Sequence, residues 1–496
     1  MTTPGHVLWR IFPERSKTRE IAAAHRVGPN EDISSLVTDE GHHGFRRART
    51  EDHHEVFTPS DTARAVWRQD RGMTAPTVSV TEVVADVDAG ITDNEFPNGD
   101  DLAVSRGTDF YWMDELLTDQ ERSLRDRVRV WCDTEVAPAA AGFWERAEFS
   151  VELAKGYGRL GIAGASIVGD GCPGVSFLAE GVIAAELARG DGSIATLNAV
   201  HSGLAMTTIA MLGSPEQRAN YLPRMATCEV LGAFALTEPN HGSDVVALET
   251  RARRDGDEWV LDGQKRWIGN GTVADIVVVW ARDDENQVGA FVVEHPDGPE
   301  HPVPGYHARK IVGKAANRGV VQAQIRLDRV RIPAGARLAK ARTWDDANYV
   351  LAKSRQTVAW EALGHAVAAY EAAVTYSMRR QQFGRPLARF QLIQDKLAHM
   401  LSDITGMQLM CTRMSQLQAE GRVSIEHAAI AKLNTGDGAR RVCAMARDIL
   451  GGNGILLDHH VARHHADIEA VYTYEGTDSI QSLIVGRAIT GLNAFR

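Results

Sequence analysis

Glu475 stands between Tyr474 and Gly476 in the segment YTYEGT, Tyr472 to Thr477, whose other side chains carry no charge. Apolar surroundings disfavour the ionised form of a carboxylate, so its pKa rises and it becomes suited to act as a general base. The competing reading is a helix-capping or ion-paired carboxylate. A second stretch, FALTEPNHGSD from Phe234 to Asp244, begins as a strand-like run and breaks into a loop of Thr, Asn, Ser and Gly around a Pro. Such a loop offers hydroxyls and backbone N–H groups to a polar ligand.

Three further segments have two readings each. ILGGNG, Ile449 to Gly454, closes a helical pattern and removes side chains, so its backbone can approach a phosphate or a ring system closely. It is equally a helix C-cap. RRQQFGRPLARFQLIQ contains Arg380, Phe383, Gly384 and Gln391, a set suited to pyrophosphate or to a solvated helix–turn–helix corner. QKRWIGN puts Trp267 where an indole covers a flat cofactor or fills a core. No G-x-G-x-x-G follows a strand, so a Rossmann site is not expected. His460 and His464 have a spacing a metal could use, but such helical pairs are common and no metal is expected.

The elements that must position these residues are mostly helices. Apolar spacing of three and four runs from Met113 to Cys228, with a T-x-x-E capping box at Thr118 to Glu121 and a helix start at Ser214–Pro215. From residue 233 to about 335, WVLDGQKRWIG, DIVVVWA, VGAFVVE and VVQAQIRL read as antiparallel strands. From about Asp345 helical periodicity returns, enough for a four-helix bundle. Residues 1 to about 105, with His42–His43, His53–His54 and an acidic, turn-rich Asp86 to Asp101, read as mostly disordered, and Met73 is a plausible alternative start.

Composition narrows the function. The chain has 496 residues, 44% hydrophobic and 24% charged, with a net charge of -11, which argues against a nucleic-acid binder. Five scattered cysteines without a C-x-x-C pair suggest a reduced, intracellular protein. No apolar run is expected to reach the ~20 residues of a membrane span, and neither end reads as a targeting signal, so a cytoplasmic location is expected.

TEPNHGSD, KRWIGN, RQQFG, FQLIQ, ILGGNG and YEGT occur in the order and approximate spacing of the acyl-CoA dehydrogenase family, over about residues 110 to 496. GRAITGLNAF, Gly486 to Phe495, resembles the tail of glutaryl-CoA dehydrogenases and short-chain acyl-CoA oxidases. The resemblance implies an α+β, mainly α fold. Its parts are an extension (1–109), an N-terminal helical domain (110–232), a central antiparallel β-domain (233–340) and a C-terminal four-helix bundle (341–496).

It also implies FAD, an acyl-CoA substrate, an electron-transfer flavoprotein as acceptor, and a homotetramer or homodimer. Phe234, Ala235, Leu236, Thr237 and Ser243 would line the flavin, Ser243 also touching the acyl-CoA. Trp267, Ile268 and Gly269 would flank the isoalloxazine. Arg380 and Gln391, with Asp448, Ile449, Leu450, Gly451 and Gly452, would hold the FAD of a neighbouring subunit, and Thr477 would contact FAD beside the base. Glu475 would take the α-proton while the β-hydrogen leaves as hydride. Gly476 lets the chain pass close to the thioester, and Arg355 matches an arginine near the CoA-binding helix.

Two departures from the family pattern refine the expectation. Glutaryl-CoA dehydrogenases pair an arginine with the distal carboxylate where this chain has Ala195, followed by Thr196. An unpaired carboxylate there would cost several kcal/mol, so a short- or medium-chain monocarboxylic substrate is expected. Gly269 replaces a common threonine and opens space at the reactive edge, which makes an acyl-CoA oxidase the alternative. A non-catalytic flavoprotein that binds nucleic acid is a second rival, against which Glu475 and the acidic charge count.

Overall fold

A computed structural model describes residues 107–494. The expected extension, up to residue 106, and the alternative start at Met73 lie outside the described residues.

Helix α1 (Asp119–Trp131) starts as its sequence requires. The Thr118 hydroxyl accepts the Glu121 N–H, and the Glu121 carboxylate accepts the Thr118 N–H at 3.0 Å. Helices α2 (Ala137–Arg146), α3 (Val151–Arg159) and α4 (Phe177–Gly190) follow. Next, α5 (Gly192–Asn198) runs through a π-helical segment, Ala199–Met206, into α6 (Thr207–Leu212). This Gly192–Leu212 stretch corrects one expectation, because it is long and apolar enough to cross a membrane. It is a core helix of the domain, mostly buried by the rest of the protein. Ser214 and Pro215 open α7 (Pro215–Ala226).

Seven strands form one sheet: β1 (Gly232–Ala235), β2 (Arg251–Asp255), β3 (Glu258–Gly269), β4 (Ile276–Arg282), β5 (Val288–Glu294), β6 (Tyr306–Lys310) and β7 (Gln322–Pro333). Their order is β1-β4-β2-β3-β7-β6, with β5 paired to β4. The pairing is antiparallel except for β1–β4 and the single β2–β4 bridge at Arg251 and Arg282, which are parallel. The chain reaches β4 only after the β2–β3 hairpin, a connection long enough to return in the same sense as β1. Both faces are buried, which explains the unbroken run DIVVVWA: Val278 and Trp280 pack toward the helical domain, Val277 and Val279 on the opposite face.

The C-terminal helices are α8 (Trp344–Arg379), α9 (Gln391–Ala419), α10 (Ile425–Ile449), α11 (Val461–Thr473) and α12 (Asp478–Thr490). Ala359, Leu363, Met400, Met407 and Val442 fill the core between them. The short corner Tyr474–Thr477, between α11 and α12, carries the sequence's candidate base.

Candidate active site

Glu475 sits in this corner with φ 56°, a left-handed conformation that costs a non-glycine residue energy and has to be held in place. Several groups hold it. Ser354 on α8 donates its hydroxyl to Glu475 Oε2 at 2.8 Å. Arg355 Nε and Gln481 Nε2 donate to the Glu475 carbonyl at 3.1 and 3.0 Å. Lys432 on α10 donates to the Gly476 carbonyl at 2.8 Å and to that of Tyr472 at 3.3 Å.

Gly476 has φ 88°, and a Cβ there would stand 2.5 Å from Gln481 Nε2, so the corner needs a glycine at this point. Thr477 caps α12, its Oγ1 accepting the Ile480 N–H at 3.3 Å.

Burial pushes the Glu475 carboxyl above its ordinary range, while Arg355, the Ser354 hydroxyl and Lys432 pull it back. The outcome is a carboxylate whose proton affinity is raised but whose ionised form keeps a donor and two nearby cations. That is the electrostatic setting of a general base.

Thr196 on α5 joins this cluster. It lies beside the Tyr474 side chain, and its Oγ1 donates to the Gly192 carbonyl at 2.8 Å and accepts from Asn317 Nδ2 at 3.0 Å. Ala195 beside it is buried and apolar. Position 195 itself carries no cation, where the family pattern would place an arginine.

The loop residues form a second group. Phe234 and Leu236 point into the core, Phe234 meeting Trp280 edge-on with centroids 6.1 Å apart. Among strands, β1 pairs only with β4, leaving its other edge without a strand partner. Lys265, fully buried, donates to the Leu236 carbonyl at 3.0 Å and to Glu238 at 2.9 Å, and Arg266 N–H bonds the Thr237 carbonyl at 2.8 Å. The 234–237 run is thereby tied to Trp267, Ile268 and Gly269.

Trp267 has φ 64° at a bulge in β3 and is 52% exposed, so it is an available ring surface and not a core tryptophan. Ile268 is buried, and Ser243 is exposed in the loop beyond. Gly269 gives a correction. A Cβ there would stand 2.7 Å from Val200 Cγ2, so the space the glycine opens is taken by Val200.

Arg380 and Gln391 lie at the far end of α8 and the start of α9, both exposed. Asp448 is ion-paired with Lys396, while Ile449 and Leu450 are buried in the bundle core. Gly451, φ 57°, and Gly452 have open space where a Cβ would be. Asn453 Nδ2 bonds the Tyr376 hydroxyl at 3.0 Å, tying this glycine corner to the end of α8. At 1.5 Å per residue, Arg355 and Arg380 are about 38 Å apart along the helix. Arg355, beside the base, and Arg380, beside the glycine-rich segment, therefore stand far apart along α8.

These features fit a flavin dinucleotide: an exposed indole, a glycine corner without side chains, and a buried Arg355 Nη1 that has no partner. The two histidines at a metal-compatible spacing, for which no metal is expected, have other neighbours. His464 Nδ1 lies 2.9 Å from His365 Nδ1, and His460 Nδ1 lies 2.7 Å from Arg463 Nη2. Among the described residues, one group of possible ligands converges, Glu238, His241 and Glu249, and Glu238 there is already paired with Lys265.

Sequence reading missed Ser354, Lys432 and Gln481 as supports of the base, and it missed Glu361. Lys432 and Glu361 carried a signal, each being a lone charge inside an apolar helical run. Gln481 carried none.

Comparisons with known proteins identify the family of the fold. Residues 118–229, 233–330 and 342–490 match the N-terminal, middle and C-terminal domains of acyl-CoA dehydrogenases. The probable acyl-CoA dehydrogenase YngJ of Bacillus subtilis (strain 168) is 32% identical over 379 residues, covering 76% of this chain and all of the relative. The short-chain specific mitochondrial acyl-CoA dehydrogenase of Bos taurus is 32% identical over 74% of this chain and 90% of its own length. The crystal structure of glutaryl-CoA dehydrogenase from Mycobacterium smegmatis superposes with a TM-score of 0.74 at 39% identity, covering 77% of this chain and 98% of the other. Its relative solved in complex with FADH2 gives 0.75 at 36%, covering 78% and 98%. The fold is that of a flavoenzyme class acting on thioesters. The chain belongs to the acyl-CoA dehydrogenase family, oxidoreductases that act on the CH–CH bond of acyl-CoA.

Proposed function

We propose that this protein is an FAD-dependent dehydrogenase that converts a short- or medium-chain monocarboxylic acyl-CoA to the trans-2-enoyl-CoA, the first oxidation of a β-oxidation cycle. The observation that carries the reading is Glu475: a carboxylate on a strained corner, raised by burial and held by Ser354 and Arg355. Glu475 takes the α-proton of the thioester onto a carboxylate oxygen. Bound FAD supplies the acceptor for the hydride that leaves the β-carbon, so two electrons and two hydrogens are removed together. Arg355 and Gln481 fix the Glu475 carbonyl, which aims the adjacent N–H groups of the corner toward the thioester oxygen, where negative charge develops.

The buried Ala195 favours a monocarboxylic acyl chain over glutaryl-CoA, because a distal carboxylate would enter without a cation. Val200, packed into the space beside Gly269, favours an electron-transfer flavoprotein over oxygen as acceptor. The Arg380, Gln391 and Gly451 cluster lies about 38 Å along α8 from Arg355, which favours its serving a neighbouring subunit's flavin in a homotetramer or homodimer. Initial rates with butyryl-CoA and glutaryl-CoA, with peroxide measured in parallel, test the assignment. Butyryl-CoA turnover without peroxide is expected, and equal glutaryl-CoA turnover or stoichiometric peroxide would overturn it.

A further inference from the structure

Glu361 is a second carboxylate beside the base, and the mechanism above does not use it. It lies on α8 two helical turns beyond Ser354, on the same face, and is fully buried. Its Oε2 accepts the Tyr474 hydroxyl at 2.8 Å, while its Oε1 is buried without a partner. Tyr474 immediately precedes Glu475. One side of the strained corner is thus held by Ser354, Arg355 and Gln481, and the other by Glu361 through Tyr474.

The groups that face Glu361 are Tyr474 and Glu475 from the corner and Lys432 from α10. Lys432 gives its donors to the Tyr472 and Gly476 carbonyls, and Arg355 bonds the corner at Glu475. Glu361 keeps a single neutral donor, an unpartnered oxygen and a like-charged neighbour, a setting that favours the protonated acid. Burial accordingly pushes its carboxyl up to about 8.

We propose that Glu361 is a positioning residue for the proton transfer: as a neutral acid it anchors Tyr474, and with it the corner that carries Glu475, so that this buried pair of carboxylates holds one negative charge and holds it on Glu475. The inference rests on Glu475 being the base. Two like charges at such a site share a proton, and the group with less cationic support keeps it: each carboxylate accepts one hydroxyl, but Glu475 has Arg355 and Lys432 beside it while Glu361 has Lys432 alone.

The test compares the holoenzyme with E361L, E361Q and Y474F. Removing the acceptor in E361L, or the donor in Y474F, is expected to lower kcat on butyryl-CoA about tenfold, with FAD content and KM nearly unchanged. E361Q keeps a neutral acceptor and is expected to restore kcat to within about threefold. If E361L does not fold, Y474F reads the same bond.

A second arm follows Tm against pH without activity. A carboxyl raised in the folded state contributes its stability fully below the ordinary pKa near 4.5 and loses it as pH rises through about 8. Wild type should therefore lose Tm relative to E361Q between pH 5 and about 8. Unchanged kcat in E361L and Y474F, or an E361Q as slow as E361L, would overturn the positioning role, and a Tm difference flat with pH would overturn the neutral acid. If wild type oxidises no acyl-CoA, the proposed function fails while the Tm arm still decides the state of Glu361.

Discussion

Ser354 Oγ lies 2.8 Å from Glu475 Oε2 and donates its proton to it. A hydrogen bond aimed at the ionised form lowers the pKa of a carboxyl that burial raises. The hydroxyl therefore sets the pH at which the base becomes available without sharing its charge.

Ser354→Ala should move the acid limb of the kcat/KM profile to higher pH by roughly one unit, since the ionised form loses a donor. The rate should recover as pH rises. A uniform loss at all pH values would mean that Ser354 acts only in packing.

Glu475→Gln should lower kcat by about 10²- to 10⁴-fold while FAD content stays at the wild-type level, as expected for the loss of a general base. Flavin absorbance on the purified variant and steady-state rates check both halves.

Gly476→Ala should destabilise the protein by about 1–3 kcal/mol and cut kcat, because φ 88° is strained for alanine and its Cβ meets Gln481 Nε2 at 2.5 Å. Denaturant unfolding measures the first effect. An unchanged midpoint would show that the corner has slack.

Lys265→Met should cost about 3–5 kcal/mol by leaving Glu238 buried without its cation, the usual penalty for breaking a buried pair from one side. Because Lys265 also holds the Leu236 carbonyl, the variant should lose FAD on gel filtration more readily than wild type. Full FAD retention would separate this pair from the cofactor loop.

The legible parts of the fold were those with local causes. Thr118 to Glu121 and Ser214–Pro215 mark helix starts because a cap is written in three or four residues. The buried strands show as unbroken apolar runs. The parallel β1–β4 pair was not legible, because pairing sense depends on the whole connection between the strands. At the site, Glu475 stood out as a lone charge, but its supports come from α8, α10 and α12, far away in sequence. Gln481 looks like any helical glutamine until the corner folds back onto it. Gly269 misled in a similar way, since a glycine signals missing volume and cannot show that Val200 fills it.

The central claim is that Glu475 removes the α-proton of an acyl-CoA. The most direct measurement is the visible spectrum of the purified wild type and Glu475→Gln on anaerobic addition of butyryl-CoA. The account predicts rapid flavin bleaching in wild type and essentially none in the variant, with flavin bound in both. Bleaching at similar rates in the two proteins would contradict it.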